Sequence, residues 1–575
     1  MIPALVGLVL AAPLPSPVFV KTRDSDEWVR RSFRVQDRYP RVLLVDTSPS
    51  PSRTLRVAPI DLNARDGAPA GPARTYGVDR VLATLQEAAD AARGGDLVAV
   101  APGAYAGFVL DDKPDAGDLR YVHFKALGVP GAVTIDRAGP DPEWMVLFRS
   151  AHHAILEGFE IAGSNSPDRP AQGPRAGVMM DGDFGRSSRL SHHIALVRNF
   201  SHHHRKWGFH STDTHTVLIE DSLFAFSKDE HSGYASDGSD DYVIRRNVFF
   251  GSRSGGLQCN IDPVSSFREV LKHPALRGFP KEEPTRAWAL ALLKRATELF
   301  GENNFPDGKG INFIIEDNVV NENGQGGGGS LNLAALQESL VQNNLIYGNF
   351  NHGIAQWDDA NPYDAAYAVP GPSAPDAVKG PDDLPLWGCH SNVVRNNTVL
   401  MANPGRGALH VRNGSWGMRA RNNVVINDAG PSIEVFNTSV YRLDSGFNVA
   451  GRVAYVAGGE TGRVPMAESL KVLAVSLDDD GRSHSVVGLT RAQLASEFVR
   501  YGEQPWVVVE GHWWRLNPDR PDFRPRPGSR LLGDRGDPAE TPPRDLAGRR
   551  RTRADIGALA SADERGNEPS RHKGE

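Results

Sequence analysis

The chain has 575 residues, 64 Lys+Arg against 70 Asp+Glu for a formal charge of −6, and 40% hydrophobic residues. Mild acidity excludes a nucleic-acid binder that works by bulk positive charge, and no apolar run reaches the ~18 residues of a membrane span. Gly (59) and Pro (41) exceed average usage without reaching low-complexity levels, as expected of an ordered, turn-rich fold.

Residues 1–20 contain the run IPALVGLVLAA followed by Pro13, Pro15 and Pro17, and read as a signal peptide that lacks the usual basic start. This predicts a secreted, periplasmic or cell-surface protein. Residues 21–74 form an N-terminal extension with strand-like pieces at 42–46 and 54–60, packed along a flank or folded as a small module. Residues 81–93 place Leu82, Leu85, Ala88, Ala89 and Ala92 on one side of an amphipathic helix, and a strand follows in 97–105.

A repeat then takes over. Short apolar alternations meet at a polar pair ending in Asn or Asp, at Asn199, Asp221, Asn247, Asn318, Asn344, Asn397, Asn423 and Asn448. The spacings are 22, 26, 71, 26, 53, 26 and 25, so the coil is 22–26 residues long, the 53 is two coils, and the 71 holds an insertion. V/I/F-rich strands at that period, without an intervening helix, predict coils of about three strands stacked in parallel. An Asn at each bend can build an inward amide ladder and tolerate left-handed backbone. The predicted fold is all-β: a single-stranded right-handed parallel β-helix (solenoid) over 75–560, with an N-terminal capping helix and two long inserted loops. Those insertions fall at about 263–308, with helical character in 286–300, and at about 358–388. Residues 561–575 read as a disordered tail. The two cysteines, Cys259 and Cys389, fit no metal-ligand spacing, and Cys259 reads as a small buried hydrophobe.

TLQEAADAARGGDLVAVAPGAY (84–105) resembles the cap and first strand of the pectate-lyase-like right-handed β-helix superfamily, and the repeats resemble its NosD-like members. The stretch 525–559 is similar to the closing segment of exported members. The resemblance implies a polysaccharide as partner. It leaves the activity open, because the polygalacturonase pattern is not reproduced beyond Asp240-Asp241, nor is the signature of mannuronan epimerases.

Gly208, Gly233 and Gly256, taken as equivalent bends, predict a polar outward strip of His210, Asp237, Gln258, Asn260, Gln356 and His410, with Phe209, Tyr234 and Leu257 turned inward or covering the core. Trp207, Tyr234 and Trp357 lie near it, and rings beside amides suit a sugar chain. The substrate-binding set is His210, Gln258, Asn260, Gln356, His410 and Trp207. The reading placed first is a lyase that cleaves a uronic-acid-containing polysaccharide by β-elimination; it needs a uronate neutraliser, for which Arg245 or Lys228 is available, and a base, for which His231 or Tyr234 is available. Glu230, Asp237, Asp240 and Asp241 can supply oxygen ligands to Ca2+, or form a solvated acidic turn. The alternatives are a glycoside hydrolase, using Asp229 or Glu230 with Asp237 or Asp241, and a non-catalytic carbohydrate-binding scaffold. In HHHRKWGFH (202–210), strand alternation lets only His202 and His204 converge.

Overall fold

The computed structural model describes residues 24–64, 69–115, 117–165, 173–302, 304–359, 361–364, 385–436, 439, 443–456, 484–502, 506–509, 512–516 and 522–561. The expected signal peptide, most of the tail and the middle of the second insertion lie outside these residues. Each coil runs through a flank strand, a back strand and a front strand, as in Ser191–Val197, Phe200–His202 and Trp207–Thr212. Like strands of successive coils pair in parallel, which gives a flank sheet of 13 strands and back and front sheets of 11 each. The chain is a right-handed parallel β-helix, with the hand that parallel crossovers take.

The interior is built from ladders of like residues. Phe224 lies over Phe249 (centroids 5.7 Å), and Tyr242 over Phe313 (4.6 Å, 2° between planes). Cys259 sits in this core as expected, fully buried and unpaired.

The amide ladder runs at the flank-to-back corner. Asn247, Asn318, Asn344, Asn397, Asn423 and Asn448 each donate or accept a side-chain bond at 3.0–3.1 Å to the next rung. Two details differ from the sequence reading. The rung between Asn199 and Asn247 is Ser222, not Asp221, which pairs with Arg246 at 2.8 Å. The left-handed residue is the one before each rung, such as Asp221, Arg246, Asp317 and Asn396, so the rung itself serves only through its side chain. Asn397→Ala would strip a partner from the Asn344 N–H and the Val341 carbonyl, both buried. At 1–3 kcal/mol for each of the two orphaned groups, the expected loss is about 2–6 kcal/mol, read as a lower urea midpoint; a loss under about 1 kcal/mol would contradict the ladder's role.

Helix α1 (Ser25–Ser32) and the chain after it lie on the outer face of the flank sheet. Trp28, Val29, Phe33 and Leu62 pack there against Ile155, Ala195, Leu218 and Val243. Strand Val42–Val45 joins the flank sheet between Arg80–Leu82 and Leu97–Val100, so the N-terminal extension is continuous with the β-helix. Helix α2 is shorter than expected, Leu85–Ala91, because Val81 and Leu82 are drawn into that strand pairing. A capping box between Thr84 and Glu87 starts it, and Leu85, Ala88 and Ala89 close the open end of the core. From the other terminus, Leu494, Phe498, Phe523, Leu532 and Ile556 cover Tyr347, Leu400, Val424 and Ile426 of the back sheet.

Three excursions leave at the front-to-flank corner: α3 (Phe184–Ser187), the first insertion with α4 (Pro263–Leu271) and α5 (Arg286–Phe300), and the second insertion. Phe184, Phe267, Trp288, Tyr363 and Trp387 join them in one apolar cluster. The terminal segments occupy the flank and back sheets, and the excursions stand beside the front sheet as a wall.

Candidate functional site

Register decides which front-sheet residues face outward. One outward row is Met179, His210, Tyr234, Gln258 and Asn332, and another is Asp181, Thr212, Ser236, Asn260 and Ala334. His210, Gln258 and Asn260 are thus where the sequence placed them. Tyr234 is not: Phe209 pairs with Gly233, so Gly233 takes the inward slot and Tyr234 faces out. A Cβ on Gly233 would stand 2.3 Å from the Phe209 ring, so the large Phe209 side chain fills the space below it. Gln356 is the reverse case. It pairs with Leu333 and Val411, is 1% exposed, meets Asn392 at 3.3 Å and lines a small interior cavity of about 20 Å3. A one-residue change of register moves a side chain across the sheet, and it takes Gln356 out of the binding strip.

The aromatic residues also behave differently from a sugar platform. Trp207 stacks between Trp144 (6.4 Å) and Tyr234 (5.5 Å), with the cations of Arg175 and Lys206 at 5.4 and 4.9 Å from its ring. Its faces are occupied by protein, and it stiffens the strip instead of stacking a sugar. His210 lies parallel to Tyr234 (4.9 Å, 10°) and meets Ser236 at 3.2 Å, and burial lowers its pKa to about 3, leaving it neutral. Tyr234 bonds Asn260, and Trp357 Nε1 donates to Asn332 Oδ1 at 2.7 Å. Asn332, a member of this strip, escaped the sequence reading because it lies across the 71-residue gap.

The strip ends at the front-to-flank corner on two aspartates at equivalent places in successive coils, Asp213 and Asp237, both in left-handed backbone. Thr212 Oγ1 donates to Asp237 Oδ2 at 2.5 Å, and the Gly238 N–H donates to Asp213 Oδ1 at 3.0 Å. Burial, with the charge of Asp262 and Asp181, raises the Asp237 pKa to about 6. Burial and the facing Asp237 carboxylate push Asp213 well above the usual carboxylate range, with Glu269 of α4 adding to the effect. Burial also raises Asp181 to about 6. Like charges held together out of water cannot all ionise, so this corner keeps protons near neutrality. The signal for Asp213 was in the sequence: it precedes Asp237 by one coil length.

The other predicted residues scatter. Arg245 is 1% exposed at its side chain and lies on the flank sheet beneath α1, bonded to Glu220 (3.0 Å), Asp26 (2.8 Å) and the Leu62 carbonyl (2.8 Å). It cannot neutralise a substrate, because the N-terminal extension seals it. Asp240 and Asp241 open a flank strand and accept from the Ile311 N–H and the Asn312 amide, both at 2.6 Å. Glu230 lies on the loop before Gly233–Ser236, 3.6 Å from Lys206 and 3.7 Å from His231. Among the described residues, Glu230, Asp237, Asp240 and Asp241 do not gather into a ligand group. His231 accepts from the Gly255 N–H at 2.9 Å and burial lowers its pKa to about 4. Lys228 is on the same loop, its N–H bonded to the His204 carbonyl at 3.0 Å. His410 faces outward further along, 2.9 Å from Glu434 and beside the His352 ring (4.9 Å). In the 202–210 run the adjacent rings converge: His202 and His203 Nδ1 atoms are 2.7 Å apart, while His204 bonds Ser201 at 2.9 Å. His203 is left-handed (φ +55°), which cancels the alternation expected of a strand.

No protein-family model matches the chain, and no curated protein sequence matches it. Among solved structures, it is similar to pectate lyase Pel9A, at 13% identity over 92% of this chain and 98% of that one, TM-score 0.47. An alginate lyase from Paenibacillus sp. str. FPU-7 matches at 12% identity over 65% of this chain and 93% of that one, TM-score 0.29. The periplasmic alginate epimerase AlgG matches at 11% over 63% and 77%, TM-score 0.28. The architecture of this chain rests on its own sheets, and a reading of its activity on its own side chains.

Proposed function

We propose that the protein holds an extended polysaccharide along the front strip and cleaves a glycosidic bond at the Asp213–Asp237 corner. The observation that supports this is a pair of aspartates, one coil apart, that keeps a proton near neutrality at the end of a row of amides and hydroxyls. Glycosidic cleavage needs a protonated carboxyl to hand its proton to the leaving oxygen, and a second carboxylate to direct water or attack the sugar. Asp237 is the donor, because it is half-buried while Asp213 is 6% exposed. Asp181 and Asp262, whose charges reach Asp237, supply the second group.

β-Elimination, the reaction favoured by the sequence, loses Arg245. It keeps support from a basic group further along the same face, where Arg406 meets His352 at 2.9 Å and Arg412 lies 5.4 Å from the Trp357 ring. That group suits a uronate carboxylate.

A panel of neutral and uronic-acid polysaccharides separates the readings. New reducing ends without the absorbance of unsaturated uronate are expected. Growth of that absorbance would establish elimination instead, and retardation in affinity gels without turnover would leave a binding scaffold.

A further inference from the structure

A second cluster of titratable side chains lies on the flank sheet, away from the front strip. Strands His152–Glu157 and Ser191–Val197 are paired so that His152 stands beside His192, and the next strand brings His215 into the same row. The second residue of each His–His pair, His153 and His193, is left-handed at φ +47° and +53°. On a flat strand neighbouring side chains would point to opposite faces; here the turn swings each pair of rings to one side. Nδ1 of His152 lies 3.0 Å from Nδ1 of His153, and Nδ1 of His192 lies 2.8 Å from Nδ1 of His193. The pairs stack on each other, His152 on His192 at 5.0 Å and His153 on His193 at 4.5 Å, both with 5° between planes.

We propose that these two His–His pairs on successive coils form a binding site for a divalent transition-metal cation of the Zn2+ type. Ring nitrogens of His153, His192 and His193 all lie within 4.8 Å of one another, the one such group of three among the described residues. A tetrahedral ion with Zn–N of about 2.0–2.1 Å holds its ligand atoms about 3.3 Å apart, so small ring rotations bring these three onto one ion, with His152 stacked beside His192. His192 and His193 are half-buried, which leaves the group open to solution, while Tyr121 packs on His153 at 4.9 Å. In the next three coils the equivalent left-handed position is Thr216, then Asp241, then Asn312, so imidazole pairs are confined to this place.

His202 and His203 provide an internal control. Their Nδ1 atoms are also close, at 2.7 Å, but the next coil sets Ala225 beside His202, so no second pair completes a site.

The test uses the full chain stripped with chelator, titrated with ZnCl2, then desalted for elemental analysis. One equivalent of Zn2+ is expected to be retained, with three or four nitrogen scatterers at about 2.0–2.1 Å in X-ray absorption. His192→Ala and His193→Ala should each weaken the affinity at least about tenfold, whereas His203→Ala should leave it unchanged. His193→Asn, which keeps a residue suited to left-handed backbone, should lose the metal while its metal-free melting temperature stays near wild type. Failure of the wild-type chain to retain Zn2+ would overturn the proposal. So would retention in the His192 and His193 variants equal to wild type.

Discussion

Asp237→Asn is expected to lower glycosidic cleavage by about 10²–10⁴-fold, the range a positioned general acid contributes. The amide keeps the shape of the carboxyl and accepts from Thr212 as Asp237 Oδ2 does, but it has no proton to give. In the wild-type chain, activity should fall as pH rises through about 6, where Asp237 loses its proton. Stability should follow the same group. Its folded pKa is raised from 3.8, so the folded state binds a proton that the unfolded chain has released, and stability drops between pH 3.8 and about 6. Asp237→Asn escapes that drop and should melt at or above the wild-type temperature at pH 7. Full turnover in Asp237→Asn, or a rate that climbs through pH 6, would remove Asp237 as the acid.

Arg245→Met is expected to cost about 3–5 kcal/mol, read as a lower urea midpoint, with turnover per folded molecule unchanged. The buried guanidinium joins Glu220 of the flank sheet to Asp26 of α1 and to the Leu62 carbonyl. Removing it leaves the Glu220 carboxylate, which is fully buried, with Arg246 alone at 2.7 Å. Arg245→Lys should recover little, because an ammonium cannot bridge three partners set in different directions. A loss of turnover in a well-folded Arg245→Met would restore this residue to the substrate site, and a loss of stability under about 1 kcal/mol would deny the pinning of α1.

These two residues mark where a one-dimensional reading stops. Asp237 and Arg245 are eight positions apart and looked like members of one polar cluster. A corner separates them: Asp237 directly follows a front strand, while Arg245 ends a flank strand that another segment covers. Tyr234 and Gln356 failed for a related reason. The alternation around each was visible, but its phase was set by whether a glycine filled the inward slot, as Gly233 does beneath Phe209. The histidines at 152–153 and 192–193 passed unnoticed because the one coil between them is 40 residues long, well outside the 22–26-residue period.

By itself the sequence determined the class. A 22–26-residue period of apolar alternation can bury its side chains only by stacking coil on coil, and the Asn rungs mark the same corner each time. That information is local and repeats, so it survives without coordinates. What only the tertiary structure decided is which face stays open and which acids meet. Both depend on contacts between segments hundreds of residues apart: the N-terminal helix on the flank sheet, the C-terminal segment on the back sheet, and the insertions beside the front. Burial then sets the protonation of Asp213 and Asp237, and burial is a property of the packed molecule that no stretch of sequence carries alone.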